Sequence, residues 1–158
     1  MSKDLLLYEN GNGGELLVLN NDLSLVEALY QQVYLMLFGG NLAANTTGSE
    51  NENQQRFDWW GNSLFFANRA EKQFNSNTER VLDSVSLNTS GRIDIKRAVE
   101  ADLEPLKQIG NIDVKVSILS ESKVKINVTL QKPDSLEDKA FQFIWDNAAN
   151  EVIINKTI

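Results

Sequence analysis

The sequence predicts an α+β fold: an N-terminal β-hairpin, three to four helices and a C-terminal antiparallel β-meander. Three observations carry this. Two apolar stretches near the N-terminus flank Asn10-Gly11-Asn12-Gly13-Gly14, whose Asn and Gly residues accept positive φ. Apolar residues then recur at helical spacing in the middle of the chain. Beyond Gly110 the period changes to two, with Ile112, Val114, Val116 and Ile118 alternating with polar residues.

Leu5 to Tyr8 and Glu15 to Leu19 form the expected hairpin. Asn21-Asp22 offers a helix N-cap, and Leu25, Leu29, Val33 and Phe38 follow helical spacing until Gly39-Gly40 stops the helix. Tyr30, Tyr34 and Leu37 make its other faces apolar too, so it is expected to be buried on most sides. Residues from about 41 to 55 are polar and lack an apolar period, which reads as a surface loop.

That loop ends in Phe57-Asp58-Trp59-Trp60-Gly61-Asn62, the densest aromatic cluster of the chain, followed by Leu64, Phe65 and Phe66. The rings either plug the core or anchor an interface, since Trp and Tyr dominate binding hot spots. In an extended segment Trp59 and Trp60 would face opposite ways, one inward and one toward a partner.

Ser76 followed three residues later by Glu79 is a capping box, and a short helix through Val81, Leu82 and Val85 follows. Thr89-Ser90-Gly91 punctuates. A further helix runs from about Ile93 through Leu103, Pro105 kinks or restarts it, and Gly110 ends it. The meander comprises Ile112–Ile118, Val124–Leu130, Ala140–Trp145 and Val152–Ile158, the first two joined by Ser120-Glu121-Ser122.

Composition bounds what such a chain does. Its 158 residues fit one domain, and 42% apolar with 23% charged residues is ordinary globular usage. A net charge of −7 opposes binding to nucleic acid, and the longest early apolar run, Val33 to Phe38, is far shorter than the ~20 residues of a membrane span. With no basic leader segment, the chain is expected to be made in the cytoplasm and soluble.

The sequence contains neither His nor Cys, which removes Ser-His-Asp and Cys-His nucleophiles and the usual zinc ligands. The best acidic constellation is Glu100, Asp102 and Glu104 with Asp94 nearby. Two of these could flank a glycosidic bond, but on a helix Arg97 and Lys107 lie within reach and a charge-laced surface explains them. Gly11 to Gly14 lacks phosphate-loop spacing, and Glu50, Asn51 and Glu52 lack the alternation of a calcium loop. No catalytic residue, metal site or cofactor is expected.

The order of features is more informative than any one of them. A Leu-rich helix ending in Leu37-Phe38 precedes a polar loop, then Asp58-Trp59-Trp60-Gly61-Asn62, an apolar triplet, Arg69 and Glu71-Lys72-Gln73. Leu103-Glu104-Pro105-Leu106, Gly110, alternating strands through Lys132-Pro133-Asp134 and Phe143-Ile144-Trp145 follow. Over residues 5 to 146 this succession resembles the phage Mu gene-product-forty-six family of tail baseplate proteins. That family is related to the T4-type baseplate-wedge protein often labelled a lysozyme. The Trp-Trp-Gly-Asn turn is similar to the family's Trp-Trp-Gly-Asp; Pro105 stands where an aromatic is usual, and Phe65-Phe66 replaces a Leu-Trp pair.

The resemblance implies a single baseplate-wedge-like domain over 1–158 and a non-catalytic structural subunit, present in several copies around a contractile tail. It implies partners among other wedge proteins and the first sheath ring, and a place in the virion tail baseplate or a related injection system. A stand-alone binding module or assembly chaperone is the alternative, and a glycan hydrolase a weaker one. The residues expected to make contacts are Phe57, Trp59 and Trp60 in the aromatic segment, and Val152, Ile154 and Lys156 in the last strand. A strand there either closes the meander or offers unpaired backbone groups to another chain.

Overall fold

The computed structural model of the protein describes residues 2–8, 15–40, 60–133, 137–149 and 151–157. These form a mixed helical and sheet structure, with short N-terminal strands, four α-helices and a C-terminal four-stranded antiparallel sheet, as the α+β prediction requires. The chain divides into two compact units, residues 1–80 and 81–158.

The first unit opens with six short strands, β1 (Lys3–Leu5), β2 (Leu7–Tyr8), β3 (Glu15–Leu16), β4 (Val18–Leu19), β5 (Asp22–Leu23) and β6 (Leu25–Glu27). They pair as three antiparallel arms, β1 with β6, β2 with β3 and β4 with β5. A ring of backbone hydrogen bonds joins the arms: Leu6 N–H to the Ser24 carbonyl, Ser24 N–H to Leu17 and Leu17 N–H to Leu6, at 2.8, 2.8 and 3.1 Å. The expected hairpin is therefore present as β2–β3, with residues 9–14 outside the described residues.

The expected helix start at Asn21-Asp22 is wrong. Asn20 and Asn21 have φ of 52° and 63°, the two positive values of a type I′ hairpin turn, which Asn tolerates better than other residues with a Cβ. The turn diverts residues 22–27 into strands, and helix α1 spans only Ala28–Phe38. Eight of its side chains are buried, Gln31 among them, as the all-round apolar pattern implies. Gln31 lies buried beside β2, where its Oε1 accepts the Leu7 N–H at 3.0 Å.

Two further helices were misread from sequence. Trp60–Phe66 forms α2, so the Trp-Trp-Gly-Asn segment enters a helix rather than a turn, and a 3₁₀ turn at Ala70–Lys72 follows. α3 spans Asn77–Ser84, and its cap is as expected, Ser76 Oγ accepting the Glu79 N–H at 3.0 Å. α4 runs Thr89–Asp102, beginning four residues before the expected Ile93. Its cap is Asn88, whose side chain accepts the Gly91 N–H at 3.0 Å. Gly91 is needed inside the first turn because a Cβ there would lie 2.0 Å from the Ser86 carbonyl oxygen. Its role is close backbone approach, not helix termination.

Pro105 restarts the chain in a 3₁₀ helix, Glu104–Gln108, where a missing N–H costs nothing in the first turn. Gly110 then passes the Gln131 carbonyl so closely that a Cβ would sit 2.4 Å from its oxygen. The meander follows as β7 (Asn111–Ile118), β8 (Lys123–Gln131), β9 (Lys139–Asp146) and β10 (Glu151–Thr157), in spatial order β10-β9-β8-β7. Val114, Val116, Val124, Ile126, Val128, Leu130, Phe141, Phe143 and Trp145 are all buried, and α4 packs along β7 through its buried Ile95, Ala98 and Val99 stripe. The opposite face is polar, with Gln142 Nε2 donating to Asn127 Oδ1 at 3.2 Å and Lys123 facing Asp146 at 3.6 Å.

The Asn20-Asn21 turn generates a first prediction. Asn21→Val places a β-branched residue at positive φ and should destabilise the chain by about 1–2 kcal/mol, whereas Asn21→Gly should be neutral or stabilising. Urea denaturation of both variants checks the difference.

Candidate functional site

Three groups of residues were candidates for function, and the structure treats them differently. The carboxylates sit on an exposed helical surface. Glu100 faces Lys96 at 3.5 Å, Asp94 faces Arg97 at 3.9 Å and Glu104 pairs with Lys107, each with about half or more of its side chain exposed. Such i,i+3 and i,i+4 pairs are what a solvated helix surface carries. Among the described residues no group of three or more acidic side chains is placed to hold a metal ion.

Of the aromatic segment, Phe57 and Trp59 lie outside the described residues. Trp60 opens α2, so the alternation argued for an extended Trp59-Trp60 pair does not apply to it. The motif residues within α2 and after it have a definite structural role. Asn62 is fully buried, and its side-chain amide accepts the Phe74 N–H at 2.9 Å and donates to the Phe74 carbonyl at 2.9 Å, reaching the Gly39 carbonyl at 3.4 Å. Gln73 Nε2 returns the link, donating to the Phe66 carbonyl at 2.8 Å. Ser76 continues it, its N–H donating to the Gly40 carbonyl at 2.6 Å and its hydroxyl to the Leu37 carbonyl. The end of α1, α2 and the Gln73–Ser76 segment are thus held together by side-chain amides and a hydroxyl acting on backbone groups.

Two exposed apolar surfaces stand out, one in the apolar run that follows the aromatic cluster and one that sequence reasoning missed. Leu64 and Phe65 project from α2 at 67% and 60% exposure, Phe65 standing edge-on to Phe66. Val18, Leu19 and Leu23 are exposed on the β4–β5 arm, beside Leu25. The signal was the Asn20-Asn21 pair: once it is a hairpin tip, a two-stranded arm cannot bury both its faces.

The third group, Val152, Ile154 and Lys156, lies on β10, and β10 is the outer strand of the sheet. Val152 is half-buried. The backbone phase of this edge follows from the ladder. The Asn147 N–H bonds the Ser122 carbonyl at 2.7 Å, so β9 bonds β8 through its odd-numbered residues and β10 through its even-numbered ones. With Ile154 opposite Ile144 and Lys156 opposite Gln142, Ile154 and Lys156 bond inward to β9 while Asn155 and Thr157 turn their N–H and carbonyl groups outward. A bulge between Val152 and Ile154 interrupts the strand. β10 and Trp60 belong to different units.

Burial shifts two ionisable groups. The Tyr30 phenol is held above its usual range by desolvation, and the Asp83 carboxyl is pushed up to about 6 by the same cause. Asp83 Oδ1 is buried with no hydrogen-bond partner among the described residues.

No protein-family model, no curated protein and no solved structure matches the chain.

Two predictions follow from this geometry. Asn62→Ala removes the side chain that bonds the part-buried N–H and carbonyl of Phe74 and should cost about 1–3 kcal/mol, with Gln73→Ala costing less; chemical denaturation measures both. For Asp83, the unfolded carboxyl releases its proton near pH 4 but the folded one only near 6. Raising the pH through this window therefore favours the unfolded chain. Asp83→Asn should stabilise the protein above about pH 6 and confer no such gain below about pH 4, read from denaturation midpoints across the range.

Proposed function

We propose that this protein is a non-catalytic structural subunit of a contractile-tail baseplate, a wedge component that joins other wedge proteins and docks the first ring of sheath. The observation that carries the proposal is the position of the C-terminal strand: β10 is an outer strand whose Asn155 and Thr157 backbone groups face away from the sheet. An outer strand of this kind is a template for strand addition by another chain. The identity of the partners rests on the resemblance carried by Trp59-Trp60-Gly61-Asn62 and Glu71-Lys72-Gln73. The hydrogen bonds from Asn62 and Gln73 support it, because they give those two motifs one shared task, the joining of α1, α2 and the segment leading to α3.

In this reading the subunit is made in the bacterial cytoplasm, acts in several copies and needs no cofactor. The exposed pairs at Glu100 and Glu104 are surface charge. The exposed Leu64 and Phe65 are candidates for the contact with neighbouring wedge proteins.

The test uses two variants of the full chain mixed with the sheath and wedge proteins encoded beside it. Asn155→Pro removes an outward N–H while sparing the bonds to β9, and proline is tolerated at such an edge position. Deletion of residues 152–158 removes β10 with its outward groups and leaves β9 as the outer strand, in a different register of open groups. Both should leave the helical circular dichroism intact and abolish sheath nucleation seen by electron microscopy. Nucleation at the wild-type rate by Asn155→Pro and by the truncated chain would place docking elsewhere.

A further inference from the structure

The sheet has a second open edge. β7 ends the strand order on the side opposite β10, and unlike β10 it pairs with β8 in unbroken register over all eight of its residues. The Leu119 N–H bonds the Lys123 carbonyl at 2.8 Å, so the odd-numbered residues of β7 exchange hydrogen bonds with β8. Ile112, Val114, Val116 and Ile118 therefore turn their N–H and carbonyl groups outward, where no described strand meets them.

That edge is not flat against solvent. α4 packs along β7, and two adjoining concavities of about 330 and 350 Å³ lie in the seam between them. One is lined by Ala101, Glu104, Lys107 and Ile112, the other by Arg92, Ile93, Lys96, Arg97 and Val116, and Glu100 borders both. The two together form a cleft with a helix for one wall and an unpaired strand edge for the other. This is the arrangement in which an extended peptide adds to a sheet, main-chain bonds supplying affinity and alternate side chains entering the cleft. Ile93, partly exposed, and Ile112 supply apolar contacts.

Charge selects the occupant. The chain as a whole is acidic, at −7, yet the Val116 end of the cleft carries Arg92, Lys96 and Arg97. Lys96 and Arg97 have Glu100 and Asp94 as ion-pair partners, whereas Arg92 has none among the described residues. The Ile112 end, with Glu100, Glu104 and Lys107, has no such basic excess.

We propose that the cleft between α4 and the open edge of β7 binds an extended segment of a partner protein by strand addition, with that segment's acidic residues at the Arg92–Lys96–Arg97 end. An added strand antiparallel to β7 begins at the Ile118 end, so its acidic residues are N-terminal to its alternating apolar ones. The site is on the other edge from β10, and it does not depend on the tail assignment.

The test is amide exchange on the isotope-labelled full chain with a capped synthetic peptide as long as β7, two acidic residues followed by alternating Thr and Val. Binding should slow exchange at Ile112, Val114, Val116 and Ile118 by about tenfold or more, while Asp113, Lys115 and Ser117, already bonded to β8, change little. Arg92→Glu, at an exposed position in the first turn of α4 where an acid suits the helix dipole, should weaken binding about two- to fivefold. So should replacing the peptide's acids with Lys. Protection confined to β10 amides, no protection at either edge, or equal binding of the acidic and basic peptides overturns the proposal.

Discussion

The four-stranded sheet buries one face and leaves the other polar, and most of what the second unit does follows from that asymmetry. Each strand must alternate, because the side chains on its two faces meet different surroundings. A slip of one residue in the β7–β8 register would carry Val114, Val116, Val124, Ile126 and Val128 from the buried face to the polar one. At about 25 cal/mol per Å² of apolar surface, such a slip costs far more than any hydrogen bond it preserves. The same register fixes the phase of the backbone. Odd residues of β8 bond β7 and even residues bond β9, so the groups left over at the two rims are those of the even residues of β7 and of Asn155 and Thr157. The burial of side chains thus decides which main-chain groups are open to another chain.

In the first unit the comparable constraint is polar. Three backbone groups, the N–H and carbonyl of Phe74 and the carbonyl of Gly39, meet one buried side chain that is both donor and acceptor. A carboxylate accepts only, a hydroxyl donates once, and a longer amide at the same place does not fit the same distances. Asn62 satisfies all three from a position with no solvent exposure, where an unmade bond is most costly. Gln73 performs the converse task on Phe66, so each of the two motif segments closes on the backbone of the other. Ser76 links that pair to the end of α1 and to the first turn of α3. A set of bonds reaching from Leu37 to Glu79 is then sensitive to any one substitution within it.

The meander was the most legible part of the chain, because a period of two across Ile112–Ile118 and Val124–Leu130 has no competing interpretation. α1 was legible in its end but not in its start. Leu23, Leu25 and Val26 fit a helical period as well as a strand, and only the paired positive φ values at Asn20 and Asn21 decide between them. At α4 the error was of a different kind. Thr89-Ser90-Gly91 has the composition of a break, and the contact that makes Gly91 necessary, the Ser86 carbonyl, depends on a path the chain takes only after folding. α2 was hidden because Gly61, Asn62 and Ser63 are poor helix formers, held there by the bonds Asn62 makes at a distance. For the candidate site, a final strand at Val152–Ile158 could be read from its apolar run, but not that β10 lies outermost, since strand order is a property of the sheet. The α4–β7 cleft had no local signal at all: Arg92 and Val116 are distant in sequence and come together only in its lining.

The two rims also differ in what they can pair with. β10 carries a bulge between Val152 and Ile154, and a bulge twists its strand and breaks the spacing of the groups it presents. β7 presents an even series from Ile112 to Ile118, with Asp113 and Lys115 exposed on the polar face. Two copies meeting rim to rim, β10 of one against β7 of the next, would form a head-to-tail contact, which continues as a filament unless its rotation closes a ring. The irregular spacing on one side and the regular spacing on the other oppose that pairing, and α4 narrows it further by walling one side of the β7 rim. A regular extended segment meets no such mismatch at β7. An incoming strand that accommodates the bulge is needed at β10. The two rims therefore present open main-chain groups at different spacings, and a strand matched to one is not matched to the other.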